Sequence, residues 1–483
     1  MKNYLLPRIR DILFFCVFVA VLFLGPMLLN RDGDLPRHLL MGKLVLETQT
    51  VPTTDIFSYV YQGRLLIPHE WLAGVIFYIF YALLGLKGII LLSALLLSVT
   101  FTLVYEYVVK RSTVRLSALF LVLWAMAISS LHWIARPHLF TMFFLAIWLI
   151  LTDRLNRDDD KNIWPFPLLM LFWANLHAEF IAGFLILGAY IAGWLLDMLF
   201  SQVKPGLERG KRLLGATILS LLGTLINPVG WRTWETVFGY VNNRYLMSRI
   251  NETRPPDFAN PDFAILFLFL GFSFFLLAIN ENKIATGPAI ALAGFSLMSL
   301  LAARNVHIYG VVAPILLAST LSGSERINIL SRFEKVFSSV EKNIRGYVWV
   351  IVSMLLLTSF LLTGIFGINY QFDPQRFPVQ ALDWLESHPQ EGKMFNAFDW
   401  GGYILFRTWP NHLTFIDSQT DVIGDATREY EMVVGSSEGW QEILAKYNII
   451  WILVPKDWYL VSALLNNDWK EIYSDEIAVI LRR

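Results

Sequence analysis

Apolar blocks recur along this chain from residue 12 to residue 367, far more than one soluble core can absorb. Hydrophobic residues make up 55% of the 483 positions and charged ones only 16%, where soluble domains carry nearer a quarter. The chain therefore reads as a polytopic α-helical membrane protein. The candidate spans are 12–29, 87–109, 115–134, 137–153, 164–176, 178–200, 213–227, 263–279, 287–302, 308–322 and 347–367, about eleven in all. Several fall short of the ~20 residues a perpendicular helix needs, which allows tilt or re-entrance. MKNYLLPRIRD leads into an apolar run too long for a signal peptide and without a small-x-small cleavage site, so it reads as an uncleaved first span.

Orientation comes from the short loops. Lys2, Arg8 and Arg10 precede the first span, Lys110, Arg111 and Arg115 follow the second, and Arg154, Arg157 and Lys161 the fourth. Lys204, Arg209, Lys211 and Arg212 follow the sixth, and Arg326, Arg332, Lys335, Lys342 and Arg345 precede the last. Under this span set all lie on one side, assigned to the cytoplasm. An odd number of spans then leaves the C-terminal region outside.

Residues 368–483 change character. HPQEGKMF, LTFID, NIIWILV, WKEIYS and EIAVILR read as strands, and PVQALDWLES, REYEMVV and SEGWQEILAKY as helices. This is an extracytoplasmic α/β domain of about 115 residues, a normal size for one core. It follows a transmembrane domain, 1–367, whose first outer loop is 30–86. Within that loop EWLAGVIFYIFYALLG is apolar but short and reads as an interfacial segment. Formal net charge is zero, so no basic bias draws the chain to nucleic acid. Cys16, the single cysteine, lies in the first apolar run, which excludes an intrachain disulfide and a cysteine metal centre.

Sorting the polar residues by side is more informative. His38, His69, His132, His138, His177, His307, His388 and His412 all fall at outer helix ends, in outer loops or in the outer domain. Asp32, Asp34, Glu70, Arg136, Asn175, Glu179, Glu252, Arg254, Asp257, Arg304 and Asn305 share that side. Ionisable groups near hydrocarbon are costly unless paired or facing a wet cavity. Any one of them could be a helix cap or a snorkelling side chain. As a set, ARPHLF, WANLHAEF, INETRPPDF and AARNVHIYG point to one polar chamber at the outer leaflet.

Two motifs stand out. DGD, 32–34, sits just beyond the first span and beside Arg37 and His38; its carboxylates could hold a divalent cation, or one could act as base. Asp34 also precedes LPRHLLMGKLVLE, where an acid caps a helix start. Arg136 and His138 flank Pro137, a pair of donors suited to a phosphate. In the tail, Asp399, Trp400, Gly401, Gly402, Asp417 and Asp421 could face a glycan, or DWGGY and FIDSQTD could be turns; no catalytic role is expected of them.

An acidic motif in the first outer loop, a many-span body and an outer C-terminal domain resemble the GT-C superfamily of integral membrane glycosyltransferases. That superfamily includes protein O-mannosyltransferases, aminoarabinose lipid A transferases and oligosaccharyltransferases. DGDLPRHLLMGKLVLETQTVPTTDIFSYVYQGRLLIPHEWL, ARPHLF, WANLHAEF, INPVGW, AARN and the tail segments look like an uncharacterised prokaryotic subgroup.

The resemblance implies transfer of a sugar from a polyprenyl-phosphate-linked donor to a glycan, lipid or protein acceptor in the cell membrane. It implies Asp34 as base, with Asp32 and Glu70 as further catalytic acids. Asp32 and Asp34 would be the ligands of any Mg or Mn ion. Unlike the mannosyltransferases, this chain follows Asp34 with Leu and Pro, not with a second acid. The donor phosphate is expected at Arg136, His138 and Arg304. Arg37, His38, His69, Asn175, His177, Glu179 and Glu252 are expected to line the substrate chamber. No Rossmann or P-loop motif is present, and a lipid-phosphate donor needs neither. A polymer or oligosaccharide ligase would use the same chamber, and a non-catalytic scaffold would keep it unused. A flippase would gather its polar groups at the bilayer midplane, which this pattern does not.

Overall fold

The computed structural model describes all residues except 1–4, 243–244, 246–247, 249, 280–283, 322–330, 342–343, 345, 365–366 and 419–425. Lys2, Arg326, Lys342, Arg345 and Asp421 therefore lie outside the described residues.

A helix stands at every apolar block: Ile9–Asn30, Leu86–Ser112, Leu116–Ser129, His138–Asn156, Pro165–Leu176, Ile181–Phe200, Leu207–Gly223, Pro261–Ile279, Thr286–Leu301, Val306–Leu317 and Tyr347–Thr363. Among the described residues, five stretches are long and apolar enough to cross a membrane: Ile9–Asn30, Leu86–Ser112, His138–Asn156, Ala178–Phe200 and Pro261–Ile279. The other helices are shorter, so the expected count of about eleven spans is not established. Short 3-10 turns cut several of the apolar runs: Ser130–His132, Ala178–Phe180 and Ala303–Asn305. Each carries polar residues of the outer set.

The chain forms two compact units. The first comprises Met1–Leu24, Ile90–Trp133 and Pro137–Ile368. Its helices bury Trp148, Trp173, Tyr190 and Tyr309 completely. The charged turn that follows helix His138–Asn156 is a web of ion pairs, Asp158 with Arg209 and Arg212, Asp159 with Arg157, and Asp160 with Arg154.

The second unit comprises Gly25–Ile89, Ile134–Arg136 and Asn369–Arg483. Here the segment after the first span and the C-terminal tail fold together. The tail contributes a mixed four-stranded sheet, β1 Lys393–Asn396, β2 Ile449–Pro455, β3 Lys470–Ser474 and β4 Ala478–Arg482, in the order β1-β2-β4-β3. β1 runs parallel to β2, and the other two pairings are antiparallel. One face is filled by Phe395, Phe415, Ile452 and Leu481, the other by Leu382, Trp451, Leu453 and Ile480. Helices Val379–Ser387, Ala426–Val434 and Trp440–Lys446 stand where PVQALDWLES, REYEMVV and SEGWQEILAKY placed them.

LTFID is a correction. It is not a strand of the sheet; Thr414 makes a single parallel bridge to Ser58 in the first loop. Its backbone groups are claimed elsewhere. Thr414 N donates to Phe57 O (3.1 Å), Phe415 N donates to the Asn396 side chain (2.9 Å), and Asn396 Nδ2 donates to Ile416 O (2.8 Å). A buried asparagine stands in for the neighbouring strand.

Two helices of the first loop complete this unit, Asp34–Thr48 and Trp71–Leu84. They cross at glycines: a Cβ on Gly42 would lie 2.0 Å from Gly74 O, and one on Gly74 would lie 2.8 Å from His38 O. Only residues without side chains allow backbones this close.

Candidate functional site

The polar residues singled out in the sequence fall into two groups, one inside each unit.

In the second unit the DGD turn starts helix Asp34–Thr48. Asp32 Oδ1 accepts from the Asp34 backbone N–H at 3.0 Å, an Asx-type turn that fixes the helix start. The short connecting piece 134–136 is pinned by Ala135 N donating to Leu28 O at 3.0 Å. That anchor delivers Arg136 to both acids. Its Nη2 lies 2.5 Å from Asp34 Oδ2, and its Nε pairs with Asp32. One guanidinium thus holds two carboxylates in a fixed fork.

One turn on, Arg37 is buried; its Nε donates to Asp417 Oδ2 at 3.0 Å and its guanidinium lies 3.7 Å over the Phe57 ring. A buried cation persists only when paired and hydrogen-bonded, and the tail supplies the partner. Burial pushes the nearby Asp55 carboxyl up, opposed by the Phe57 N–H it accepts, with Asp417 adding to the rise.

On the same turn stands His38, whose Nε2 is 3.7 Å from Glu70 Oε2. Glu70 precedes helix Trp71–Leu84 without capping it, and its other oxygen is 3.8 Å from His69 Nε2. His69 Nδ1 donates to Ile67 O at 3.2 Å. Burial lowers the His38 imidazole below its ordinary value; Glu70 and Asp34 oppose that, and Arg136 and Arg37 add to it.

The tail motif DWGGY packs on this array. A Cβ on Gly33 would lie 2.2 Å from Asp399 O, and one on Gly402 would lie 2.9 Å from Gly33 O and 3.1 Å from Arg37 Cβ. Gly401 meets Ile416 O and Asp417 in the same way. Asp399 is open to solvent yet walled by protein; that walling first, and then the charge of Asp34, pushes its carboxyl up, while Arg376 opposes. The sequence leaves Asp399 and Asp417 between a glycan-facing surface and turns, with no catalytic role expected. The available signal was glycine pairing: DGD and DWGGY both place glycine beside acid, as backbones in close approach require.

The first unit gathers the imidazoles at helix junctions. His138 opens helix His138–Asn156, and its Nε2 donates to His132 O at 2.8 Å. Arg136 and His138, though they flank one proline, therefore bond to different partners in different units. The His132 ring stacks on His307 at 5.0 Å, and His138 lies 4.9 and 5.2 Å from these two. Glu179 is the hub: His177 Nδ1 and His307 Nε2 each reach its Oε2 at 3.3 Å, and Arg304 lies 4.0 Å from Oε1. Glu252 is 3.6 Å from His132. Thr141 Oγ1 accepts from Trp173 Nε1 at 2.9 Å and sits 3.0 Å from His177 Nδ1. Asn175 is a fastener, its Nδ2 donating to Leu171 O and Ile226 O at 2.8 Å each.

Among the described residues no group of three or more His, Cys, Asp and Glu side chains is placed to hold a metal ion. At Asp32 and Asp34 the position a cation would take between the carboxylates is filled by Arg136.

No family model and no curated protein matches the sequence. Among solved structures the chain is similar to ArnT from Cupriavidus metallidurans, determined by crystallography bound to undecaprenyl phosphate. The two are 13% identical, with 97% of each chain covered and a TM-score of 0.50. At that identity the likeness is one of fold, a GT-C-like fold. With its apolar helices, it describes an integral membrane protein.

Proposed function

We propose that this chain is a membrane glycosyltransferase that moves a sugar from a polyprenyl-phosphate-linked donor to an extracytoplasmic acceptor. The observation that carries the proposal is the Asp34–Arg136–Asp32 fork in the second unit. Two carboxylates locked by one guanidinium at a helix start form a preorganised anionic seat, which can accept a hydrogen bond from an attacking hydroxyl or amine without rearranging. The GT-C-like fold, and the undecaprenyl phosphate bound by ArnT, support the choice of donor.

In this reading Asp34 engages the acceptor. Arg136 is the strut of the fork, because its charge is matched by two carboxylates. The donor phosphate is assigned to cationic groups, which stabilise charge on the departing oxygen. Direct displacement inverts the anomeric carbon. No step requires a metal ion, and the second unit with its acids is placed on the extracytoplasmic side.

Purified full-length protein in lipid, offered radiolabelled undecaprenyl-phosphate sugars with membrane acceptors, tests this. Wild type should release undecaprenyl phosphate and label an acceptor, and Asp34→Asn should abolish both while inserting normally. Movement of intact donor across the bilayer without chemistry would make it a flippase. Full activity of Asp34→Asn would remove this aspartate from the reaction.

A further inference from the structure

In the fork, the carboxylate placed to meet the acceptor is already engaged. Asp34 and Asp32 share one guanidinium, so the oxygens that face it are committed to Arg136. A transfer that deprotonates its acceptor near neutral pH needs a base whose own proton affinity lies near that pH.

The structure sets an imidazole one helical turn away. His38 follows Asp34 at the i,i+4 spacing that brings side chains onto one helix face. Its Nε2 faces Glu70 at 3.7 Å. Glu70 is fixed there by the Gly42–Gly74 crossing, which leaves Gly74 no room for a side chain against the His38 carbonyl. The glutamate does not cap its own helix, the usual use of a polar residue at that position; it is turned between His38 and His69. A carboxylate on one imidazole nitrogen selects the tautomer with its lone pair on the other, here Nδ1. Catalytic hydrogen bonds are often long before substrate arrives, so a 3.7 Å separation suits a dyad that tightens on binding.

We infer that His38 takes the acceptor's proton, oriented by Glu70, while Asp34 holds the acceptor in place. This rests on the glycosyl-transfer reading above and names the group that completes it. The acceptor O–H bond breaks and its proton passes to His38 Nδ1. The freed electron pair forms the O–C1 bond to the sugar. The C1–O bond to phosphate breaks with its pair leaving on the phosphate oxygen, so the products are glycosylated acceptor, polyprenyl phosphate and an imidazolium. The imidazolium returns its proton to water. The charged groups facing His38 are Glu70 from the Trp71–Leu84 helix, Asp34 and Arg37 from its own helix, and Arg136 from the segment 134–136.

The test uses full-length protein in lipid with the radiolabelled undecaprenyl-phosphate sugars, following initial rate against pH. Wild type should slow as pH falls and the imidazole charges. His38→Gln should lose about 100-fold in kcat with little change in KM, and should lose that acid limb. Glu70→Gln should keep the limb but move it to lower pH, because an opposing anion has gone. His38→Ala should regain rate when imidazole is added to the buffer, which a structural role would not allow; this keeps the test valid if His38→Gln is less stable. His38→Gln within threefold of wild type, or with the acid limb intact, overturns the role of His38 and leaves the transferase reading standing. Wild type inert toward every donor overturns both.

Discussion

Gly33 and Asp399 meet backbone to backbone: a Cβ on Gly33 would sit 2.2 Å from the Asp399 carbonyl oxygen. The acidic turn after the first span is therefore seated on the start of helix Gly401–Thr408 in the tail. Anything that lifts this seat moves Asp34. Gly33→Ala and Gly402→Ala should each cost roughly 1–3 kcal/mol through overpacking and reduce transfer in parallel. Gly188→Ala, where nothing lies within 4 Å, should shift the unfolding midpoint very little. Thermal unfolding in detergent, followed by tryptophan fluorescence, checks all three; an unchanged midpoint for Gly33→Ala would contradict the seat.

The Arg37–Asp417 pair is almost wholly removed from solvent, with side chains 5% and 6% exposed. Deleting one member leaves the other charged and unpaired. Arg37→Ala or Asp417→Ala should each destabilise by about 3–5 kcal/mol, whereas the double variant Arg37→Met/Asp417→Leu should cost much less. A double-mutant cycle on denaturation midpoints measures this. Additive single losses would show that the pair contributes no coupling.

Arg136 should matter through geometry as well as charge. Lysine keeps the charge but cannot engage Asp32 and Asp34 together in one planar fork. Arg136→Lys should therefore lose most of the transfer activity, and Arg136→Ala more. Initial rates with labelled donor decide it, and equal rates for lysine and arginine would argue against the fork.

Because that guanidinium fills the space between the two acids, chelation should leave the rate unchanged. Transfer measured with excess EDTA and then with added Mg or Mn should differ by less than twofold, an allowance on the order of ordinary assay scatter. A loss reversed by either cation would show that a metal replaces Arg136 between the carboxylates.

His38 and His412 both lie below the ordinary imidazole value of 6.5, each chiefly because of burial. Between the lowered values and 6.5 the unfolded chain binds more protons than the folded one. Their contribution to stability is full above 6.5 and is lost as pH falls through the lowered values. His38→Asn should flatten part of the resulting slope. Unfolding midpoints at about pH 7.5, 6.5 and 5.5, compared between variant and wild type, give the answer. Parallel curves would mean that His38 contributes nothing to the acid sensitivity.

Local chemistry alone wrote the helices and most strands of this protein. Apolar runs of helical length, closed by polar or glycine-rich junctions, are legible one segment at a time, and each of the eleven expected blocks holds a helix. KMFN, IIWILVP, KEIYS and AVILR carry their strand signal in the same way. LTFID misled because its β-prone residues suit a strand, while its hydrogen bonds were already claimed by Phe57 and Asn396.

The residue types of the site were visible too, as acids, arginines and histidines at the junctions between apolar segments. Their partners were not. Arg37 finds Asp417 across 380 positions, and Arg136 leaves its neighbour His138 to close on Asp32 and Asp34. Any of several carboxylates could have balanced either guanidinium. Which one does so depends on backbones packed closely enough at Gly33, Gly402 and Gly74 to bring distant side chains into reach, and only the tertiary structure decides that.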